Sequence, residues 1–195
     1  MSTGQRLTWA EAYDFAKAVA DALAPHVEII KCVGSVRRRR PTVGDIEFLA
    51  RPRFDVDLLG ERTPVIEPVK KALLELGTWV QGGERAMRIK DLFGHKDLRI
   101  ELYLVHPPSA WGSQLAIRTG PGDLGKYVVT KMQEYGYRHD AGHAQRIDTG
   151  EVVPTDTEEQ FFALAKVECV PPHQRDLLAE SLWRAYKRTP QEIHA

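Results

Sequence analysis

Residues 34–50 read Gly-Ser-Val-Arg-Arg-Arg-Arg-Pro-Thr-Val-Gly-Asp-Ile-Glu-Phe-Leu-Ala. Their second half, residues 43–50, has the composition of a strand. Side chains two apart on a strand share a face, so Asp45 and Glu47 point one way and Ile46 and Phe48 the other, into a core. Two adjacent carboxylates repel and raise each other's pKa. That cost makes sense if a divalent cation sits between them, and hard oxygen donors suit Mg²⁺ or Mn²⁺. The first half supplies a different chemistry. A β-rich run over residues 27–33 delivers the chain to Gly34-Ser35. Glycine lets backbone approach a phosphate closely. The Ser35 hydroxyl and the free amides of a following helix can hold phosphate oxygens, and Arg38 adds a charge-assisted contact.

Working outward, Thr8-Trp9-Ala10-Glu11 fits a capping box. Trp9, Ala12, Ala16, Val19 and Leu23 then recur at helical spacing until Pro25. A helix is expected from Thr63-Pro64 to Leu76, with Pro68 able to delay its start and Gly77 ending it. Residues 98–105 alternate as a strand and carry Ile100-Glu101-Leu102. Glu101 would complete a site for two metal ions, which activates an attacking hydroxyl and steadies leaving pyrophosphate. After Pro107-Pro108 a short helix over 109–117 is expected, then a turn at Thr119-Gly120-Pro121-Gly122. Asp123 can cap a helix running to Tyr135. A hairpin around Thr149-Gly150 and helices over 156–165 and 173–187 close the chain. Elements of both kinds alternate, giving a mixed α/β chain with a subdomain boundary at the 119 turn.

The 195 residues are 43% hydrophobic and 28% charged, a globular composition. No apolar run approaches the ~20 residues of a membrane span. The N-terminus lacks a signal-peptide core, and Cys32 and Cys169 make neither a disulfide framework nor a zinc spacing. A reducing cytoplasm is therefore expected. Lys plus Arg and Asp plus Glu are 27 each. The zero balance removes the simplest argument for nucleic-acid binding but permits one basic face beside one acidic pocket. Taken singly, a Gly-Ser pair is usually a turn, an Asp-x-Glu strand usually a solvated face, and an arginine run usually a surface patch. Their order, spacing and hydrophobic framing carry the catalytic reading.

Residues 34–50 resemble the palm motif of family X DNA polymerases, the DNA polymerase β type of nucleotidyltransferase. Arg-Ile-Glu-Leu-Tyr-Leu-Val at 99–105 resembles the strand bearing that family's third carboxylate. Arg118-Thr119-Gly120 resembles its palm–thumb turn, residues 136–175 its thumb, and residues 6–12 the segment opening its palm. The resemblance implies an α+β fold: a palm with a small mixed or antiparallel sheet flanked by helices over 1–118, and a small α/β thumb with an extra C-terminal helix over 119–195. It implies that Asp45, Glu47 and Glu101 are catalytic and hold two Mg²⁺ or Mn²⁺ ions, with Glu101 accepting the primer hydroxyl's proton. It implies that Gly34, Ser35, Arg38, Arg6, Thr119 and Gly120 bind the incoming nucleotide, and that Arg99 orients the carboxylates. We further expect Arg37, Arg39, Arg40, Lys126 and Lys131 to bind DNA backbone.

The expected activity is DNA-directed addition of deoxynucleotides to a primer 3′-OH, with pyrophosphate release, in short-gap repair. The partners are gapped or primer-template DNA and deoxynucleoside triphosphates, with no membrane and a monomeric chain. Two alternatives stand beside it: nucleotidyl transfer to a protein, an RNA end or a small molecule, and a non-catalytic DNA-binding module. The sequence departs from the family by placing glutamate at 47 and 101, where aspartate is usual, and Ile117-Arg118 where an aromatic pair is usual. No lyase domain is expected before the palm.

Overall fold

Apolar residues alternate along Ile46, Phe48 and Ala50, and this strand becomes the axis of the molecule. The computed structural model of the chain describes residues 6–107 and 109–188; Pro108 and the outer ends of the two expected units (1–5 and 189–195) lie outside them. In chain order, β1 (Leu7–Thr8), α1 (Trp9–Leu23), β2 (Val27–Cys32), the short α2 (Gly34–Arg37), β3 (Thr42–Val43) and β4 (Ile46–Val56) come first. β5 (Arg62–Val65), α3 (Glu67–Leu76), β6 (Thr78–Gly82), β7 (Ala86–Lys90) and β8 (Ile100–Leu104) complete the larger sheet and its helices. Then follow α4 (Trp111–Thr119), α5 (Gly122–Gln133), β9 (Tyr137–Asp140), β10 (His143–Arg146), β11 (Val152–Val153), α6 (Glu158–Ala163) and α7 (Arg175–Arg188).

The main sheet runs β2-β4-β8-β7-β6, with β5 added to the far end of β4. β4 and β8 are parallel and the other pairs antiparallel, so the sheet is mixed. α1 and α3 cover one face, where Ala12, Val19, Leu23, Val69 and Leu73 meet Ile46, Phe48, Ile89, Ile100 and Leu102. Burying each of the larger side chains contributes about 1.5–3 kcal/mol. α4 covers part of the opposite face, where Trp111 and Leu115 pack with Leu49, Val33 and Val105. The rest of that face carries the odd-numbered acidic residues. A second core joins α5, α6 and α7 to β10 through Leu124, Val128, Phe161, Phe162 and Ala179. Ala116 of α4 belongs to this second core. One helix thus packs into both, and the boundary expected at 118/119 falls at its end.

The capping box forms as expected, with Thr8 and Glu11 bonded reciprocally. Two expectations need correction. Residues 62–65 form a strand rather than the start of α3, because they pair antiparallel with residues 53–56. Pro64 is tolerated there at a sheet edge, and Pro68 lies in the first turn of α3. The hairpin of β6 and β7 had no sequence signal strong enough to place it. Asp123 lies in the first turn of α5 but does not cap it; the N-cap residue is Pro121.

Candidate active site

β4 and β8 bring two acids level. Glu47 and Glu101 are register partners across the parallel pair, on strands that stand ~4.8 Å apart. Asp45 precedes β4 and shares the parity of Glu47. The Ile46 amide donates to the Arg99 carbonyl at 3.0 Å, which ties the start of β4 to the approach to β8. β1 pairs with β3, Leu7 opposite Val43, and so carries Arg6 toward Asp45. Burial and then the charge of Glu101 push the Asp45 carboxyl up, while Arg99, Arg6 and Arg88 oppose them. Burial, followed by the charges of Asp45 and Glu101, pushes Glu47 up to about 7. Neither side chain has a hydrogen bond or ion pair among the described residues.

The turn of α2 roofs this floor. The Val33 amide donates to the Glu47 carbonyl at 2.8 Å. Gly34 adopts φ +61°, and a Cβ there would lie 1.9 Å from Oε2 of Glu47. Only glycine allows both the conformation and the approach. The Ser35 Oγ is buried with no hydrogen-bond partner among the described residues. Arg38 donates through Nη1 to the Thr119 carbonyl and through Nε to Asp176 at 3.3 Å. Gly120 follows at φ +70°, where a Cβ would come within 2.9 Å of the Arg38 guanidinium. Gly34, Ser35, Arg38, Thr119 and Gly120, expected from separate parts of the sequence to meet one nucleotide, therefore converge.

Glu101 is differently placed. Arg88 Nε lies 2.8 Å from one of its oxygens, and the Tyr103 hydroxyl donates to the other. Sequence reading missed both residues. Tyr103 had a signal, since it stands two positions after Glu101 on the same face; Arg88 lies on the unforeseen hairpin, directly opposite Glu101. Arg118 stacks over the Tyr103 ring at 3.7 Å, and its Nε is buried without a partner among the described residues. At Cys32, the end of β2, burial and then the charge of Glu47 push the thiol up to about 12.

Among the described residues no three His, Cys, Asp or Glu side chains are arranged, as they stand, to hold a metal ion. Glu101 is engaged by Arg88 and Tyr103. The donor chemistry nevertheless fits a hard divalent cation. Asp45 and Glu47 are part-buried oxygen donors without partners, and Glu101 is the register neighbour of Glu47.

The residues expected to bind DNA divide. Arg37 turns inward, donating to Glu158 at 2.8 and 2.6 Å and to the Thr119 hydroxyl. Arg175, 1% exposed, pairs with the same carboxylate at 2.8 Å. Burial alone would push Glu158 up, but the hydrogen bonds from Arg37 and Arg175 outweigh it and hold the carboxyl below its usual range. Arg37 is therefore a structural cation joining α2 to α6. Arg39 and Arg40 point outward, and Arg40 lies 3.6 Å from Asp176. Lys126 and Lys131 sit on α5 beside Asp123 and Glu134.

No helix among the described residues is long and apolar enough to cross a membrane. No protein-family model matches the chain, and no curated protein matches it significantly.

Proposed function

We propose that the chain is a metal-dependent nucleotidyltransferase of the family X DNA polymerase type, a palm with a reduced thumb that adds deoxynucleotides to a primer 3′-OH in short gaps. The observation that carries this reading is the Glu47 carboxylate, lodged beside Gly34, unpartnered among the described residues and level with Glu101. An enzyme that needed only a solvated surface would not hold an acid there against burial and two like charges.

Asp45, Glu47 and Glu101 would hold Mg²⁺ or Mn²⁺, which when bound supplies Lewis acidity at the reacting phosphate. Ser35 offers its unused hydroxyl to a phosphate oxygen. Arg38, set against Thr119, offers positive charge to the triphosphate. In the reaction the primer 3′-oxygen bonds to the α-phosphorus while the bond to the bridging oxygen breaks. Pyrophosphate leaves with that electron pair. The hydroxyl proton passes to a carboxylate, for which Glu101 stands nearest the role. Glu101 is shared with Arg88 and Tyr103, so it must exchange partners to serve.

A primer-extension assay on gapped, recessed and single-stranded DNA, with each dNTP and rNTP in Mg²⁺ and in Mn²⁺, tests the reading. Template-directed lengthening with pyrophosphate release is expected. Labelling of the protein itself or of a small molecule, with no primer lengthened, would move the chain to another branch of the same chemistry.

A further inference from the structure

Behind the α2 turn, on the side away from the carboxylates, α1 and the residues following β2 enclose a groove of about 450 Å³. Trp9, Tyr13, Lys17, Cys32, Arg37 and Arg39 line it, and no carboxylate does. The cavity on the other flank of α1 mixes charges, with Glu11 and Asp14 beside His95 and Lys96. Trp9 and Tyr13 stack with ring centroids 5.1 Å apart and planes 26° apart. Trp9 is anchored by its indole N–H, which donates to the Val36 carbonyl at 2.9 Å. Tyr13 is 49% exposed and presents its ring outward. Lys17 follows one turn later, ~6 Å along the helix. Arg39 faces it across the groove at φ +58°. Neither cation has an ion pair or side-chain hydrogen bond among the described residues. Arg37 adds only its field, its guanidinium being spent on Glu158.

Exposed aromatic rings take up unstacked bases, and flanking unpaired cations take up the backbone phosphates between them. A duplex hides its base faces and cannot use Tyr13. An acidic peptide could use the cations but would have no planar face to stack. We infer that this groove binds an unpaired DNA strand, one base stacking on Tyr13 and its neighbouring phosphates lying against Lys17 and Arg39. The groove shares the α2 turn with Ser35, so a strand held there passes behind the phosphate-binding face. The inference goes beyond the proposed activity, because binding is expected whether or not the chain transfers nucleotides.

Fluorescence anisotropy of a labelled oligo(dT), measured with the full chain over a series of salt concentrations, tests it. Tyr13→Leu, which keeps an apolar neighbour for Trp9 but no ring, should weaken binding about 10-fold. Tyr13→Phe should restore it. Lys17→Gln should lower the salt slope by roughly 0.7. Blunt duplex DNA and poly-glutamate should bind more weakly and ignore Tyr13→Leu. Failure of the wild-type chain to bind oligo(dT), equal binding by a natively folded Tyr13→Leu chain, an unmoved salt slope, or equal affinity for duplex or poly-glutamate would each overturn the assignment. Glu47→Gln separates it from the proposed activity: oligo(dT) binding is expected to survive this change and nucleotidyl transfer to be lost. A wild-type chain that binds oligo(dT) through Tyr13 yet extends no primer would leave the groove standing and remove the polymerase reading.

Discussion

Glu47 and Glu158 both meet the same short helix, at Gly34 and at Arg37, and their surroundings treat them in opposite ways. Glu158 receives hydrogen bonds from Arg37 and Arg175, and its carboxyl is held low. Glu47 receives none from the described residues; burial and then the charges of Asp45 and Glu101 push it up to about 7 against the weaker opposing charges of Arg38 and Arg118. The first is a completed ion network inside the protein. The second has no direct hydrogen-bond or ion-pair partner among the described residues, a place that the proposed divalent ion would fill. Burial by itself therefore does not mark a working acid; what marks it is burial without internal compensation.

The comparison is most strained by removing the uncompensated acid. Asp45→Ala or Glu47→Gln should lower turnover at least ~10³-fold, about 4 kcal/mol of transition-state stabilisation. The folded state should lose nothing measurable by thermal melting. Wild-type rates for either variant sink the site assignment. Next in size is Glu158→Ala, which leaves two guanidiniums facing each other in a part-buried space. A loss of roughly 3–5 kcal/mol in denaturant unfolding is expected, and an unchanged midpoint would show the network to be ornamental.

The acids also differ in their pH dependence. The folded Glu47 carboxyl binds a proton more tightly than its ordinary value of 4.5 and holds it up to about 7. Between these values the folded chain carries more protons than the unfolded one, so stability falls as pH rises through that window. Asp45 shifts in the same direction. Without divalent ions, the chain should lose about 3 kcal/mol between pH 5 and pH 8. Glu47→Gln should flatten the slope, and Mg²⁺ should restore stability at the upper end. A chain equally stable at both pH values refutes the claim of an uncompensated acid. The smallest effect concerns the roof. Gly34→Ala should cost about 1–2 kcal/mol for its left-handed backbone and displace the Glu47 carboxylate. Reduced Mn²⁺ affinity by calorimetry reads the displacement, and a fully native affinity contradicts the close approach.

Much of the acidic floor was legible because strand parity is a local rule. Asp45-Ile46-Glu47-Phe48 states its two faces in four residues, and Ile100-Glu101-Leu102 does the same. The capping box at Thr8 and the burial of Ala12, Ala16, Val19 and Leu23 were legible for the same reason. Arg37 was not: its partner Glu158 lies 121 residues away, so four consecutive arginines looked alike while the fold sends them to different places. β5, β6 and β7 also escaped. Thr78–Gly82 is largely exposed, and short strands of this kind exist because a neighbouring edge is available. Arg88 reaches Glu101 only through that hairpin. The metal expectation came from residue chemistry, and the engagement of Glu101 by Arg88 and Tyr103 added a condition that no spacing announces.

α4 shares its residues between two cores, and its Gly112 presses so closely on the other unit that a Cβ would sit 2.2 Å from the Thr157 carbonyl oxygen. Its first amides, those of Gly112 and Ser113, donate to the Thr155 carbonyl. Such a helix works as an axle common to two wheels. Heat or denaturant that loosens one of these clusters removes a wall of the other, so the two should melt together, and limited proteolysis that released a stable half would contradict the coupling.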